Sequence, residues 1–205
     1  MNELLIEPHY LGSLEYYCLV LQSESVVLEV NDRFQKQTYR NRSYLLGANG
    51  VLPLIVPVSY SNQTITKDVT IDHLQRWKKD HWGAFYSAYG KAPFFEYFSD
   101  SFSEVWEKKQ KYLVDLCVDF LSLTMRLLQK DVHISLSKEF IDNHDFDYRN
   151  TVIPKKSFSH RKIYRPKPYP QLFSNNFNPN LSIIDLLLCE GPNAPEIIVA
   201  SFFKH

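Results

Sequence analysis

Three cysteines in 205 residues, Cys18, Cys117 and Cys189, are too few, too far apart and odd in number to build a disulfide framework or a zinc knuckle. Their scarcity fits a reducing compartment, and the cytoplasm is the expected location. Net charge is missing as well. The 23 basic residues cancel the 23 acidic ones, so no global field draws the chain toward nucleic acid or an anionic membrane surface. Any charged partner has to be recognised locally. No apolar run approaches the ~20 residues that span a bilayer. The opening MNELLIEPHY carries Glu3 and Glu7, lacks a basic flank and breaks at Pro8, which is not the pattern of a secretory signal. The glycine and cysteine signatures of common catalysts are absent too: there is no G-x-S-x-G, no P-loop, no intact G-x-G-x-x-G and no C-x-x-C. Serine-hydrolase, P-loop and dinucleotide readings therefore lack their markers, and no cofactor is evident.

What the chain does have is aromatic surface. Thirteen tyrosines and fourteen phenylalanines bring the aromatic share to 15%, and such rings serve either core packing or stacking on planar and sugar-like ligands. With 44% hydrophobic and 22% charged residues, the length suits one sizeable core. ELLIE is a short apolar strand stopped by Pro8. Leu11, Leu14, Cys18 and Leu21 then recur at helical spacing, and SVVLEV is β-branched and short. Strand, helix and strand within thirty residues predict a Rossmann-like βαβ start. Ligands of such sheets gather at the carboxyl ends of the strands, where Glu7, His9, Tyr10, Gly12, Asn31 and Asp32 fall.

RNRSYLLGANGVLPLIVPV predicts a β-hairpin turning at Asn49-Gly50, with Pro53 and Pro57 marking an edge strand. KDVTID is a further expected strand. From Leu74 to Lys130 the pattern is helical, and its last stretch places Val105, Tyr112, Leu116, Phe120, Leu123 and Leu127 on the stripe of one long helix, capped by Ser101 or Ser103. Residues 144–170 carry seven cations against two aspartates and three prolines at 166, 168 and 170, which predicts a basic lid-like loop. A helix over 180–191, capped by Asn180 or Ser182, ends at Gly191-Pro192. The expected fold class is thus mixed α/β in one domain, 1–205: an α/β part over 1–72, a helical part over 73–131, the lid-like segment and the C-terminal helix.

Several constellations are candidates for chemistry. Arg40 and Arg42 lie two apart, so on a strand they share a face and, with Lys36, present forked donors suited to a phosphate or carboxylate. An exposed strand face with surface ion pairs fits the same spacing, and in either case removal of both arginines is expected to leave folding intact. EPHYLGSLEYY resembles in outline the strand, loop and helix of nucleotidylyltransferase-like enzymes, but the aligned tetrad, Tyr10-Leu11-Gly12-Ser13, lacks both imidazoles of their H-x-G-H. His9 stands beside it, able to hold or release a proton near neutrality. His81, Trp82, Tyr86, Tyr89 and Lys91 gather around one helix and its end, as an aromatic pocket wall or as core. His73 and His81 do not make the i, i+4 pair of a helical zinc site. Cys18 sits on an apolar stripe, where a nucleophile is not expected.

Five blocks, HYLGSLEYYCLV, KQTYRNRSYLLGANGVLPLIVPV, HWGAFYSAYGKAPFFEYF, DYRNTVIPK and PYPQLFSNNFNPNLSIIDLLLCEGP, resemble in order the WbqC-like protein family in its Bacteroidetes-type form. The resemblance implies a role in surface polysaccharide and O-antigen biosynthesis, with acyl or aminoacyl transfer onto a nucleotide-linked aminodeoxy sugar as the implied step. It nominates Glu7, His9, Tyr10 and Gly12; Lys36, Tyr39, Arg40, Asn41 and Arg42; His81 and Trp82; Tyr89 and Lys91; and Asn180, Ser182 and Asp185. Glu7 stands where many members outside this form carry glutamine. The expected protein is a transferase with an anionic small-molecule substrate, in which His9 or His81 moves the proton and the Arg40–Arg42 pair clamps the anion. The alternatives are a non-catalytic nucleotide- or glycan-binding module and a degenerate nucleotidylyltransferase.

Overall fold

The computed structural model describes residues 1–173 and 176–203; Ser174 and Asn175, inside the last family-like block, lie outside them. The chain opens with β1 (Glu3–Ile6), α1 (Leu14–Val20) and β2 (Ser25–Leu28). A hairpin of β3 (Arg42–Gly47) and β4 (Gly50–Ile55) follows, then β5 (Val58–Ser59), a 3-10 turn (Thr66–Asp68) and β6 (Thr70–Ile71). The helical part is α2 (Trp77–Tyr89), α3 (Phe95–Glu107) and α4 (Leu113–Leu127). β7 (His133–Leu136), a long irregular segment with one 3-10 turn (Phe158–His160), α5 (Ile183–Glu190) and α6 (Ala194–Ser201) complete it.

The βαβ start forms as the short apolar runs require. β1 and β2 pair in parallel, Leu4 opposite Val26 and Ile6 opposite Leu28, and β7 joins the far side of β2, also parallel. Every residue of α1 is buried, Glu15 included. The open edge of β1 is covered by the basic segment, where the Leu5 amide donates to Phe146 (3.1 Å) and the Tyr148 amide donates to Leu5 (2.9 Å).

In the hairpin, Leu45 pairs with Leu52 and Tyr44 with Pro53. Pro53 has no N–H to offer, so it sits where its pair makes no ladder bond. The turn differs from the expected one: its two loop residues are Ala48 and Asn49, and the positive φ, 103°, falls on Gly50 as β4 begins. KDVTID shortens to the two residues of β6, because its first half winds into the 3-10 turn.

The single long helix expected over Ser101–Lys130 is two helices. Lys108 leaves α3 at ψ 148°, and residues 111–113 run beside β6, with the Ile71 amide donating to Lys111 and the Leu113 amide to Val69. Strand-like pairing with a distant segment overrides local helical periodicity there, so Tyr112 starts α4 and Ser101 and Ser103 lie inside α3. Phe85, Phe95, Phe102, Trp106 and Phe120 pack ring against ring between α2, α3 and α4. Most of the aromatic surplus is therefore core.

α5 begins at Ser182, whose hydroxyl accepts from the Ile184 amide. It ends at Gly191, with φ 51°, where a Cβ would lie 2.5 Å from the Phe94 ring. The chain then turns into α6, an element the sequence did not announce. Gly191→Ala combines a left-handed strain with a clash, and we expect a loss of about 1–3 kcal/mol, read as a lower urea midpoint. Gly83, whose Cβ position is open, is the control: in its helix an alanine is expected to be neutral or stabilising.

Candidate functional site

The three parallel strands end in register at Ile6, Leu28 and Leu136, and the residues that follow, Glu7, Glu29 and Ser137, stand side by side at the carboxyl edge of the sheet. Glu29 is closed off. Its oxygens accept from the Asn31 amide (2.8 Å), Ser137 Oγ (2.7 Å), the Ile141 amide (3.0 Å) and Arg149 (3.3 Å). A buried carboxylate with four donors is a structural anchor.

Glu7 is different. One oxygen accepts from the Asn150 amide at 2.9 Å; the other faces His9 Nε2 at 3.3 Å and Arg40 NH1 at 3.8 Å. Burial alone would push its carboxyl up, but the His9 bond, the Arg40 cation and the Asn150 amide outweigh burial and hold it below the ordinary value. His9 is moved down by burial, with Glu7 partly opposing. A neutral imidazole beside a carboxylate carries its proton on the nitrogen that faces it, so Nε2 donates to Glu7 and Nδ1 is left as an acceptor. Nδ1 is buried and has no hydrogen-bond partner. The ring stacks on Tyr16 at 4.3 Å and lies 5.4 Å from the Tyr39 ring.

Arg40 does not share an exposed strand face with Arg42. It precedes β3 on a turn, is 1% exposed, and points inward at Asn150 Oδ1 (3.0 Å), Asp32 (3.4 Å) and Glu7. Its charge is matched by carboxylates, so it is not free to clamp an anion. The expectation that its removal leaves folding intact is corrected for the same reason. Arg40→Ala strands two carboxylates and is expected to cost about 3–5 kcal/mol, whereas Arg42→Ala, at a half-exposed site, stays within ~0.5 kcal/mol; paired urea titrations measure both.

Beside the Glu7–His9 pair lies a cleft of about 360 Å³. Tyr39 and Tyr44, 5.9 Å apart edge to face, form one wall, with Phe158 and Lys156 among the residues opposite. Arg161 and Asn180 also line it. The Arg161 fork grips Glu15, Nε to Oε1 at 2.7 Å and NH2 to Oε2, and NH1 donates to the Lys156 carbonyl at 2.9 Å. Asn180 accepts from the Glu15 amide (2.9 Å) and donates to its side chain (3.3 Å). Arg42 shares the outer face of β3 with Tyr44, by strand alternation. Its Nε is buried without a partner, and neither Arg42 nor Lys156 has a side-chain hydrogen bond or ion pair among the described residues.

The other nominated residues go elsewhere. Trp106 Nε1 donates to the Tyr10 hydroxyl (2.8 Å), which donates to His81 Nδ1 (2.8 Å), and the remaining His81 nitrogen faces the Ile55 carbonyl. His81 is thus engaged on both sides within the core, away from His9. Trp82 packs on Phe85 and Trp106. Tyr89 (2.8 Å), Tyr169 (2.6 Å) and Gln171 (2.8 Å) all donate to Asp185, a carboxyl pushed up by burial. Asn41 Nδ2 donates to Val56. Gly12 admits the Tyr16 ring, which a Cβ would meet at 2.8 Å. Ser182 is a helix cap that also donates to Leu11. Lys36 and Lys91 are exposed, Lys91 beside a different cleft with Tyr86, Leu172 and Phe173. The structure therefore brings together Glu7, His9, Tyr39, Arg40 and Asn180, with Arg42 alongside Tyr44. Glu15, Tyr16, Tyr44, Asn150, Lys156, Phe158 and Arg161 join them without having been nominated. A glutamate inside the wholly apolar run LEYYCLV was the available signal, since such a group has to find a partner.

All three thiols are pushed up by burial. Among the described residues no group of three or more His, Cys, Asp or Glu side chains is placed to hold a metal ion, and no helix is long and apolar enough to cross a membrane.

The profile of the WbqC-like protein family matches residues 7–161 and 137–197. The chain belongs to the WbqC-like family. No curated protein and no solved structure matches it. The match to the WbqC-like profile begins at Glu7 and runs through nearly all of the chain, the cleft residues included.

Burial moves the His81 imidazole down to about 4. The folded value lies below the unfolded one, so as pH falls the unfolded chain takes up the proton first. The stability gained by keeping His81 neutral is complete above ~6.5 and is lost as pH drops toward 4, about 3 kcal/mol in all. His81→Gln is expected to show a shallower fall of unfolding free energy between pH 6.5 and 4; parallel slopes would reject this assignment.

Proposed function

We propose that this WbqC-like chain is a cytoplasmic transferase of bacterial surface polysaccharide and O-antigen biosynthesis, acting on a nucleotide-linked aminodeoxy sugar to which it adds an acyl or aminoacyl group. The observation that carries this reading is the cleft itself: an unpaired cation, Lys156, beside three aromatic side chains, Tyr39, Tyr44 and Phe158, with the unpaired Arg42 on the same strand face as Tyr44. A diphosphate asks for the first and a base or sugar ring for the second. Arg42 offers a planar fork to two phosphate oxygens, and Lys156 a mobile point charge. The clamp is thus one basic residue from the hairpin and one from the segment opposite, in place of the Arg40–Arg42 pair expected from spacing.

Arg161 contributes shape. Its donors are committed to Glu15 and to the Ile153 and Lys156 carbonyls, so it fixes the backbone from which Lys156 projects. Holding donor and acceptor in one cleft is where much of the rate of a group transfer originates. The chain's contribution is to bind the conjugate by its phosphates, stack its rings, and leave the amine of the sugar to attack.

A thermal-shift series with UDP- and dTDP-linked amino sugars, UDP and dTDP tests this. At ~100 times its dissociation constant a ligand adds ~2.7 kcal/mol, so one sugar nucleotide is expected to raise the melting temperature, and Arg42→Ala/Lys156→Ala to abolish the rise while melting normally by itself. An unchanged rise in the double variant, or none with any sugar nucleotide, overturns the assignment.

A further inference from the structure

Three buried polar atoms in this region lack a hydrogen-bond or ion-pair partner: His9 Nδ1, Tyr16 OH and Arg40 Nε. Buried polar atoms are almost always paired, with protein or with ordered water, and of these three His9 Nδ1 is the one that can take up a proton. Glu7 holds the opposite ring nitrogen, Tyr16 stacks beneath, and the Tyr39 ring lies 5.4 Å away. Tyr39 is also a wall of the 360 Å³ cleft. The same aromatic ring thus borders both the oriented imidazole and the cleft.

We propose that Glu7 and His9 form a buried general-base pair whose free nitrogen, Nδ1, reaches the cleft when the Tyr39 ring turns aside. This rests on the cleft being the substrate site. His9 is the catalytic residue and Glu7 its positioning residue. As the heteroatom of the acceptor bonds to the acyl carbon of an activated donor, its N–H or O–H proton passes to Nδ1. The imidazolium, balanced by Glu7, then returns that proton to the donor's leaving group as the acyl bond to it breaks. Glu7 keeps Nε2 protonated throughout, so Nδ1 is the nitrogen that acts.

Two features give Tyr39 room to move. It sits on an irregular turn, two residues after Gln37 at φ 62°, and its carbonyl accepts from the Tyr10 amide at 2.9 Å, so the backbone stays anchored while the ring turns and its hydroxyl exchanges the Ser13 bond for water in the cleft. The cleft beside it holds the volume of roughly twelve waters at ~30 Å³ each.

The test needs no substrate, so it can fail or succeed separately from the binding series. Full-length protein is treated with diethyl pyrocarbonate, which acylates neutral imidazoles, and labelling is read at each histidine by peptide mass. His9 and His81 are about equally buried, 3% and 5% exposed, and both should label slowly in the wild type. Tyr39→Leu and Tyr39→Ala are expected to speed labelling of His9 about tenfold or more, the change that ~1.4 kcal/mol of easier opening brings, with His81 unchanged. His81 rising in step with His9 in Tyr39→Ala signals unfolding, and Tyr39→Leu then decides. If His9 stays as slow as His81 in Tyr39→Leu, the gate does not exist. Adding Glu7→Gln should move the pH midpoint of His9 labelling downward. Glu7 is the acidic group that most stabilises the imidazolium, with Glu15 also favouring it and Arg40 opposing; Tyr16 and Tyr39, the rings around it, are neutral phenols at these pH values. An unmoved midpoint would show that Glu7 does not act through His9.

Discussion

Burying a carboxyl group without a partner is strongly unfavourable, and among the described residues this fold buries four: Glu7, Glu15, Glu29 and Asp185. Each is completed by the irregular basic segment that follows β7. Asn150 caps Glu7, Arg161 grips Glu15, Arg149 reaches Glu29, and Tyr169 and Gln171 close on Asp185. The segment is therefore a strap laced to the α/β body at four points along its length. Its excess of cations over aspartates, which suggested a lid awaiting an anion, largely answers an excess of acid inside the body. The exposed cations left over, Lys156 among them, project from a backbone those contacts have made rigid.

That arrangement explains why binding and chemistry would be adjacent. The carboxyl edge of a parallel sheet is where successive strands deliver their next residues to one place, and here Glu7, Glu29 and Ser137 arrive together. Two become anchors. The third position, Glu7, is left one lone contact short of closure by the strap and gives it to His9. On the far side of Tyr39 the same strap forms a cleft wall, so the contacts that stabilise the fold also set the distance between His9 and the cleft.

The βαβ start, the hairpin and the cap of α5 were legible because each rests on a local cause: short β-branched runs, a glycine at the turn, a serine before an apolar helix. The split of the long helix at Lys108 was not, because its cause is residues 69–71, forty positions earlier in the chain, competing for the same backbone groups. Site residues divide in the same way. Glu7 and His9 were marked by their place after the first strand. Arg40 was misjudged because spacing on a strand says which side chains share a face only when both lie on that strand, and β3 starts two residues later. Asn150 and Arg161 contribute by closing on residues nearly 150 positions away, a relation no periodicity encodes. Most of the aromatic content, including the Tyr10–His81–Trp106 chain, proved to be packing.

The lacing has a consequence for how the molecule comes into being. Asn150 meets Glu7 across 143 residues and Arg161 meets Glu15 across 146, so the partners of the first strand and first helix leave the ribosome long after them. At ~5–20 residues per second the amino-terminal third waits many seconds with its acids solvated and its sheet edge bare. Contacts of such long range also close slowly. Assembly thus approaches an all-or-none event set by the arrival of the strap, and the site at the strand ends comes into existence at the same moment as the core beneath it.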